Sequence, residues 1–200
     1  MPAPLISVEL PTGEDVAAQL RRRGGVPPRR LAEAAARGVS NLVVEHLRAR
    51  DASAAHREGF PSSGYWTGAA EDVSTRTDGA SATVTIRAPG IRLHRYGGTV
   101  RPTSGRSLAI PARAEAAGVW PREYAQRGRS GLFLWWPKGR KAGALARRER
   151  SGHLTILWWL VGATHHKADE TVLPGAAQLR SAAADAALDA LDAYTAGRSA

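Results

Sequence analysis

Apolar positions three and four apart mark two helices. From Arg29 to about Arg50 they fall at Leu31, Ala35, Val39, Leu42, Val43 and Leu47, with His46 on the same side. That spacing gives a helix one buried face. Pro27 and Pro28 open it, because proline is tolerated in a first turn. From Ala176 to Tyr194, Leu179, Ala184, Leu188 and Leu191 form a stripe, and Asp185, Asp189 and Asp192 lie opposite. A shorter helix is predicted over Val16–Arg23, capped by Thr12 and ended by Gly24 and Gly25. Ile6, Val8 and Leu10 alternate with polar residues, as in a strand. The alternation is clearest over Glu71–Thr77 and Ala80–Arg87. Asp78–Gly79 between them predicts a two-residue hairpin turn. Phe60, Tyr65 and Trp66 are expected to cap the core.

The pattern breaks between Gly90 and Ala112. An apolar and basic run, Ile91 to Tyr96, meets Gly97–Gly98. Thr99–Arg101 and Ser107–Ile110 are short β-type runs stopped by Pro102 and Pro111. Together they read as a hairpin-like excursion with a wide loop. Beyond it, Glu115–Gly118 reads as one helical turn, Leu132–Trp136 as a strand, and Lys138–Arg150 as a basic connection. Leu154–Val161 is apolar at nearly every position, which predicts burial on both faces under a helix or another subunit. Thr164–Glu170 is a polar exit to the last helix. The order predicts an α+β fold: an antiparallel sheet with N-terminal and C-terminal helices packed on it and an extended loop or hairpin excursion. One domain, 1–200, is expected, with 1–27 as an N-terminal arm, 90–112 as the excursion and 138–150 as a basic loop.

The 200 residues suffice for one domain with a core. Their net charge of +10 points to nucleic acid or an acidic partner surface. The absence of cysteine excludes disulfides and thiolate metal sites. Glu9, Glu14 and Asp15 are unlike a signal peptide, and Leu154–Ala163 is too short to cross a bilayer. A soluble, intracellular product without a membrane partner is expected.

The candidate chemistry is sparse. His46, His56, His94, His153, His165 and His166 show no helical ligand spacing, and no metal site is expected. A metal-dependent hydrolase using His165 and His166 is the weakest reading. Ser104, Ser107, Ser130 and Ser151 lack a nucleophile elbow. Gly97–Gly98 lacks the spacing and lysine of a phosphate loop. The chain is therefore expected to be no enzyme, with neither catalytic residues nor cofactor. A second reading is a basic nucleic-acid-binding protein. Lys138, Arg140, Lys141, Arg147, Arg148 and Arg150 would face DNA, with Trp135 and Trp136 just before them.

The string His94-Arg95-Tyr96-Gly97-Gly98-Thr99-Val100-Arg101-Pro102, followed by Leu108-Ala109-Ile110-Pro111, resembles a segment of the tailed-bacteriophage virion-morphogenesis family. These are the tail-completion, neck or minor tail proteins. The order of elements is similar from about Leu31 to Tyr194, including the Leu173-Pro174 step. The first 27 residues and Lys138–Arg150 are less family-like. The resemblance implies a structural virion protein, assembled in the bacterial host cytoplasm. It would form a ring, taken as hexameric, at the head–tail junction or the proximal tail end. Its partners would be copies of itself and the phage neck, connector and tail-tube proteins, with non-specific contact with DNA. Tyr96, Gly97, Gly98, Thr99, Arg101, Leu108 and Ile110 are the expected assembly interface.

Overall fold

The computed structural model describes residues 6–9, 25–53, 60, 63–126, 131–136, 138–139 and 142–197. In chain order the elements begin with β1 (Ile6–Glu9), α1 (Pro28–Ser53), α2 (Tyr65–Glu71), β2 (Val73–Asp78), β3 (Ser81–Ile86) and α3 (Ile91–Tyr96). There follow β4 (Gly98–Val100), β5 (Leu108–Pro111), a 3-10 turn (Ala114–Ala116), α4 (Pro121–Gln126), β6 (Leu132–Trp135), β7 (Gly143–Arg148) and β8 (Leu154–Val161). The last are β9 (Thr164–His166), a second 3-10 turn (Glu170–Val172) and α5 (Ala176–Ala196). Among the described residues all strand pairing is antiparallel, and helices pack on the sheets, so the α+β expectation holds. Two compact units emerge: Met1–Ser53 with Gly64–Tyr96 and Ala168–Ala200, and Ala54–Ser63 with Gly97–Lys167. The helix expected over Val16–Arg23 and its cap Thr12 lie outside the described residues.

In the first unit the sheet order is β1-β3-β2. Ala82, Val84 and Ile86 of β3 are buried, on the one face that their alternation predicts. They meet Ala32, Ala36, Val39, Val43 and Leu47 of α1 in a single core cluster. The hairpin turn is Gly79–Ala80, one residue later than expected, with Asp78 opposite Ser81. Sliding an antiparallel pair by two positions leaves every side chain on its own face, so alternation could not choose between the two registers. Gly79 takes φ 56°, as the first central residue of a type II′ turn requires.

The predicted leucine stripe of α5 needs correction. Leu188 is 55% exposed and Ala184 is exposed. Leu179, Ala183, Ala190, Leu191 and Tyr194 make the packed face instead. The reason lies in α1. A β-carbon on Gly38 would sit 2.4 Å from the Ala182 carbonyl oxygen and 2.7 Å from Ala186 Cβ. The two helices approach through glycine and alanine, and that close approach outweighs the larger area of Leu188. Residues 65–71 and 91–96, read as a turn with aromatics and as an apolar-basic run, are short helices.

In the second unit the four-stranded sheet has the order β5-β8-β7-β6, and β4 pairs with β9 in a separate ribbon. The strands of the expected excursion are present but do not pair with each other. β4 joins β9, and β5 joins β8. The hairpin reading rested on proximity along the chain, whereas the long apolar β8 offers β5 a better partner. The expected basic loop also changes, because Gly143–Arg148 is the strand β7. Thr164–His166, read as a polar exit, is the strand β9.

Opposite Leu145–Ala146, β8 carries a bulge: Leu145 pairs with Trp158 and Ala146 with Ile156, leaving Leu157 extra. A bulge resets the alternation. Leu157 and Trp158, neighbours in sequence, therefore enter the same buried cluster with Ala116 and Tyr124. The segment around Ala114–Gln126 covers this face. On the other face Ile156, Trp159 and Val161 are only half-buried, less than the two-sided burial their sequence predicts.

Candidate functional site

Seven residues were expected to form an assembly element, and the two units share them. Tyr96 ends α3 in the first unit, with 63% of its surface exposed. Gly97 and Gly98 follow at φ 70° and 147° and carry the chain into β4 of the second. Thr99 pairs with His165, and its hydroxyl lies 3.3 Å from His165 Nδ1. Arg101 is exposed at the start of a loop whose residues 103–106 are also exposed. Leu108 pairs with Val161 and Ile110 with Trp159 on the edge strand β5, where Ile110 is 38% exposed. The ribbon thus holds Thr99, the sheet edge holds Leu108 and Ile110, and Arg101 lies between them in sequence.

The six cations expected to face DNA have unequal fates. Lys138 is exposed in a turn, and Arg140 and Lys141 lie outside the described residues. Arg147 is withdrawn into the fold. Its Nη1 donates to the hydroxyl of buried Tyr124 at 2.8 Å and its Nη2 to Glu115 Oε1 at 3.4 Å. Tyr124 Oη donates in turn to Glu115 Oε2 at 3.1 Å. Arg148 is exposed at the end of β7, and Arg150 is exposed in the turn closed by Gly152 N–H donating to the Glu149 carbonyl at 2.9 Å. Trp135 is half-buried, and the ring of Trp136 lies over Gly143, 3.2–3.3 Å from where a β-carbon would stand.

His165 and His166 sit on consecutive positions of β9, so their side chains leave opposite faces of the ribbon. One ion could not be held by both. Among the described residues no group of three His, Asp or Glu side chains is placed to hold a metal ion. His56 and Ser130 lie outside those residues. Among them, too, no helix is long and apolar enough to cross a membrane.

A third constellation had no signal in the sequence. Arg50, near the end of α1, ties down the segment before α5. Its Nη2 donates to Asp169 Oδ2, and its Nη1 donates to the Thr171 hydroxyl at 2.9 Å and the Thr171 carbonyl at 3.2 Å. The same guanidinium lies 4.6 Å from the Trp66 ring centroid. His46 Nε2 stands 2.8 Å from the Thr171 carbonyl, which requires the Nε2–H form of that ring. Asp169 accepts from the Thr171 hydroxyl at 2.6 Å and from its backbone N–H at 2.9 Å. These bonds, and then Arg50, hold the Asp169 carboxyl down at about 2. Trp66, Tyr65 and His94 stand with ring centroids 4.9–5.0 Å apart. Partners separated by more than a hundred residues cannot be found by local spacing. The tie fixes a fold element, and its cation and carboxylate already satisfy each other.

No family model, no curated protein and no solved structure matches the chain.

Proposed function

We propose that the chain is a structural virion protein of a tailed phage or prophage, forming a ring at the head–tail junction or the proximal tail end. The observation that carries this reading is the string Tyr96-Gly97-Gly98-Thr99 with Leu108-Ala109-Ile110-Pro111, which resembles the tail-completion family. Its placement supports the reading. The string supplies a sheet edge with Ile110 exposed, a short ribbon, and an exposed aromatic at Tyr96. An unpaired strand edge is a template for another chain, and a closed ring is an ordered way to occupy it. In a ring one surface of each copy meets a different surface of the next, so Ile110 and Tyr96 need not meet their own counterparts.

Electron microscopy of particles assembled without this protein tests the proposal. Filled heads and separate tails are expected, with joined particles restored by a complementing copy. Normal yields of joined particles in its absence would overturn it.

A further inference from the structure

The whole net charge of the molecule sits in one of its two units. Ala54–Ser63 with Gly97–Lys167 contains fourteen Lys and Arg against four Asp and Glu. The other unit contains fourteen of each. Two of the four acids are already engaged within the fold. Glu115 accepts from Arg147 and Tyr124, and Glu149 accepts from the buried hydroxyl of Thr155 at 2.7 Å. The excess cations therefore have no counterpart within their own unit.

The segment that covers the four-stranded sheet has two sides. Ala116 and Tyr124 are turned inward and buried, and Val119 packs beside them. Arg113, Trp120 and Arg122 are turned outward and exposed, the indole by 73%. Trp120 is the most exposed large apolar side chain among the described residues. An exposed indole on a segment that also exposes Arg113, Arg122 and Glu123 has the makings of a stacking platform with phosphate-neutralising cations on the same stretch.

We propose that this unit binds nucleic acid by its phosphodiester backbone, without reading sequence, and that the outward side of residues 112–126 is its contact face. An unpaired base would stack on Trp120 while Arg113 and Arg122 meet the flanking phosphates. Arg148 and Arg150 extend the cationic surface, and Arg147 takes no part because Glu115 and Tyr124 hold it. A lipid surface fits less well, since the apolar side of the segment faces the sheet and cannot enter a bilayer. The inference is independent of the assembly reading: nucleic-acid binding would stand even if joined particles formed without the protein.

The test uses the full-length protein and fluorescence anisotropy with labelled oligonucleotides of scrambled sequence, single-stranded and duplex, over a salt series. Binding that weakens with salt is expected, with a log–log slope near 0.9 per phosphate contacted on duplex. Two matched variants localise it. Arg113→Gln/Arg122→Gln/Arg148→Gln/Arg150→Gln should weaken binding roughly tenfold or more and flatten that slope. Arg76→Gln/Arg87→Gln/Arg92→Gln/Arg180→Gln removes four exposed cations from the neutral unit and should change affinity by less than about twofold. Trp120→Ala should weaken single-stranded binding by roughly tenfold and spare the duplex. Equal losses from both quadruple variants would overturn the proposal, as would no binding at low salt. So would equal affinity for polyglutamate or phosphatidylserine vesicles. Unchanged single-stranded affinity of Trp120→Ala would overturn the assigned face. All nine side chains are exposed, and circular dichroism with thermal melting confirms that each variant is folded.

Discussion

Cations divide evenly between the two units and acids do not, fourteen against four. The first unit can neutralise itself, and its ion pairs Arg29–Glu33 and Arg50–Asp169 do so locally. The second carries ten like charges in excess and must hold together against its own field. What opposes that repulsion is the buried cluster of Ala116, Tyr124, Leu157 and Trp158. Five of the six tryptophans lie in this unit, and Trp158 is fully buried, edge-on to Tyr124 with centroids 5.1 Å apart. The neutral unit has a core of alanine, valine, leucine and isoleucine, and small residues let its helices approach. The two units thus reach stability by different routes, and perturbations should separate them.

The largest effect is expected from Trp158→Ala. Removing a fully buried tryptophan costs about 3–5 kcal/mol. Trp66 is the single tryptophan of the neutral unit, so its emission can follow that unit. A variant with Trp120, Trp135, Trp136 and Trp159 replaced by phenylalanine keeps only Trp66 and Trp158, and replacing Trp158 as well leaves Trp66 as the sole reporter in denaturant unfolding. Trp158→Ala in that background should shift the Trp66 transition by less than about 1 kcal/mol, while circular dichroism shows an earlier loss of strand structure. An equal shift of both signals would mean that the chain unfolds as one cooperative body, and the contrast between units would lose its thermodynamic content.

Gly38→Ala comes next and probes the opposite route. Alanine is the better helix former by about 1 kcal/mol, so an exposed helical glycine would gain from the change. Here the new carbon meets a backbone oxygen at 2.4 Å, and backbone cannot rotate away. A net loss of about 1–3 kcal/mol is expected, as for other overpacked contacts. Urea midpoints followed through Trp66 measure it. A gain in stability would show that α1 and α5 part easily, and the small-residue interface would then be a loose one.

These two sites also show what could and could not be read from the sequence. α1 and the β2–β3 pair announce themselves because each carries its period over six or more residues, and β8 because its apolar run is almost unbroken over eight. β7 does not. Gly143-Ala-Leu-Ala-Arg-Arg has no β-branched or aromatic residue, and only its neighbours β6 and β8 make it a strand. The α5 face was misread because leucines outrank alanines in any apolar stripe, and the deciding residue, Gly38, lies on another helix. The bulge at Leu157 was invisible because β8 is apolar at every position around it. Of the candidate interface residues, Thr99, Leu108 and Ile110 lie on strands, as their β-type runs predict. Their pairing with β9 and β8 was not legible, since pairing over fifty residues leaves no local trace. The charge division needed no structure beyond the unit boundaries.

The smallest effect expected is acid sensitivity of the neutral unit through Asp169. Its carboxyl is held down at about 2, against an ordinary value of 3.8, first by the Thr171 hydroxyl and backbone N–H and then by Arg50. A depressed acid favours the fold while ionised. The contribution is therefore complete above about pH 4 and is lost as the pH falls through about 2. The side chain keeps 36% of its surface exposed, so solvent screening keeps the contribution small. Asp169→Asn should remove it at neutral pH and flatten the acid limb of the Trp66 melting profile between about pH 4 and 2. If the second unit titrates independently, its strand signal follows the same acid limb with or without the substitution. A parallel flattening there would tie the two units together through the segment Asp169–Val172, and the contrast drawn from their charges would have to be replaced by one shared electrostatic balance.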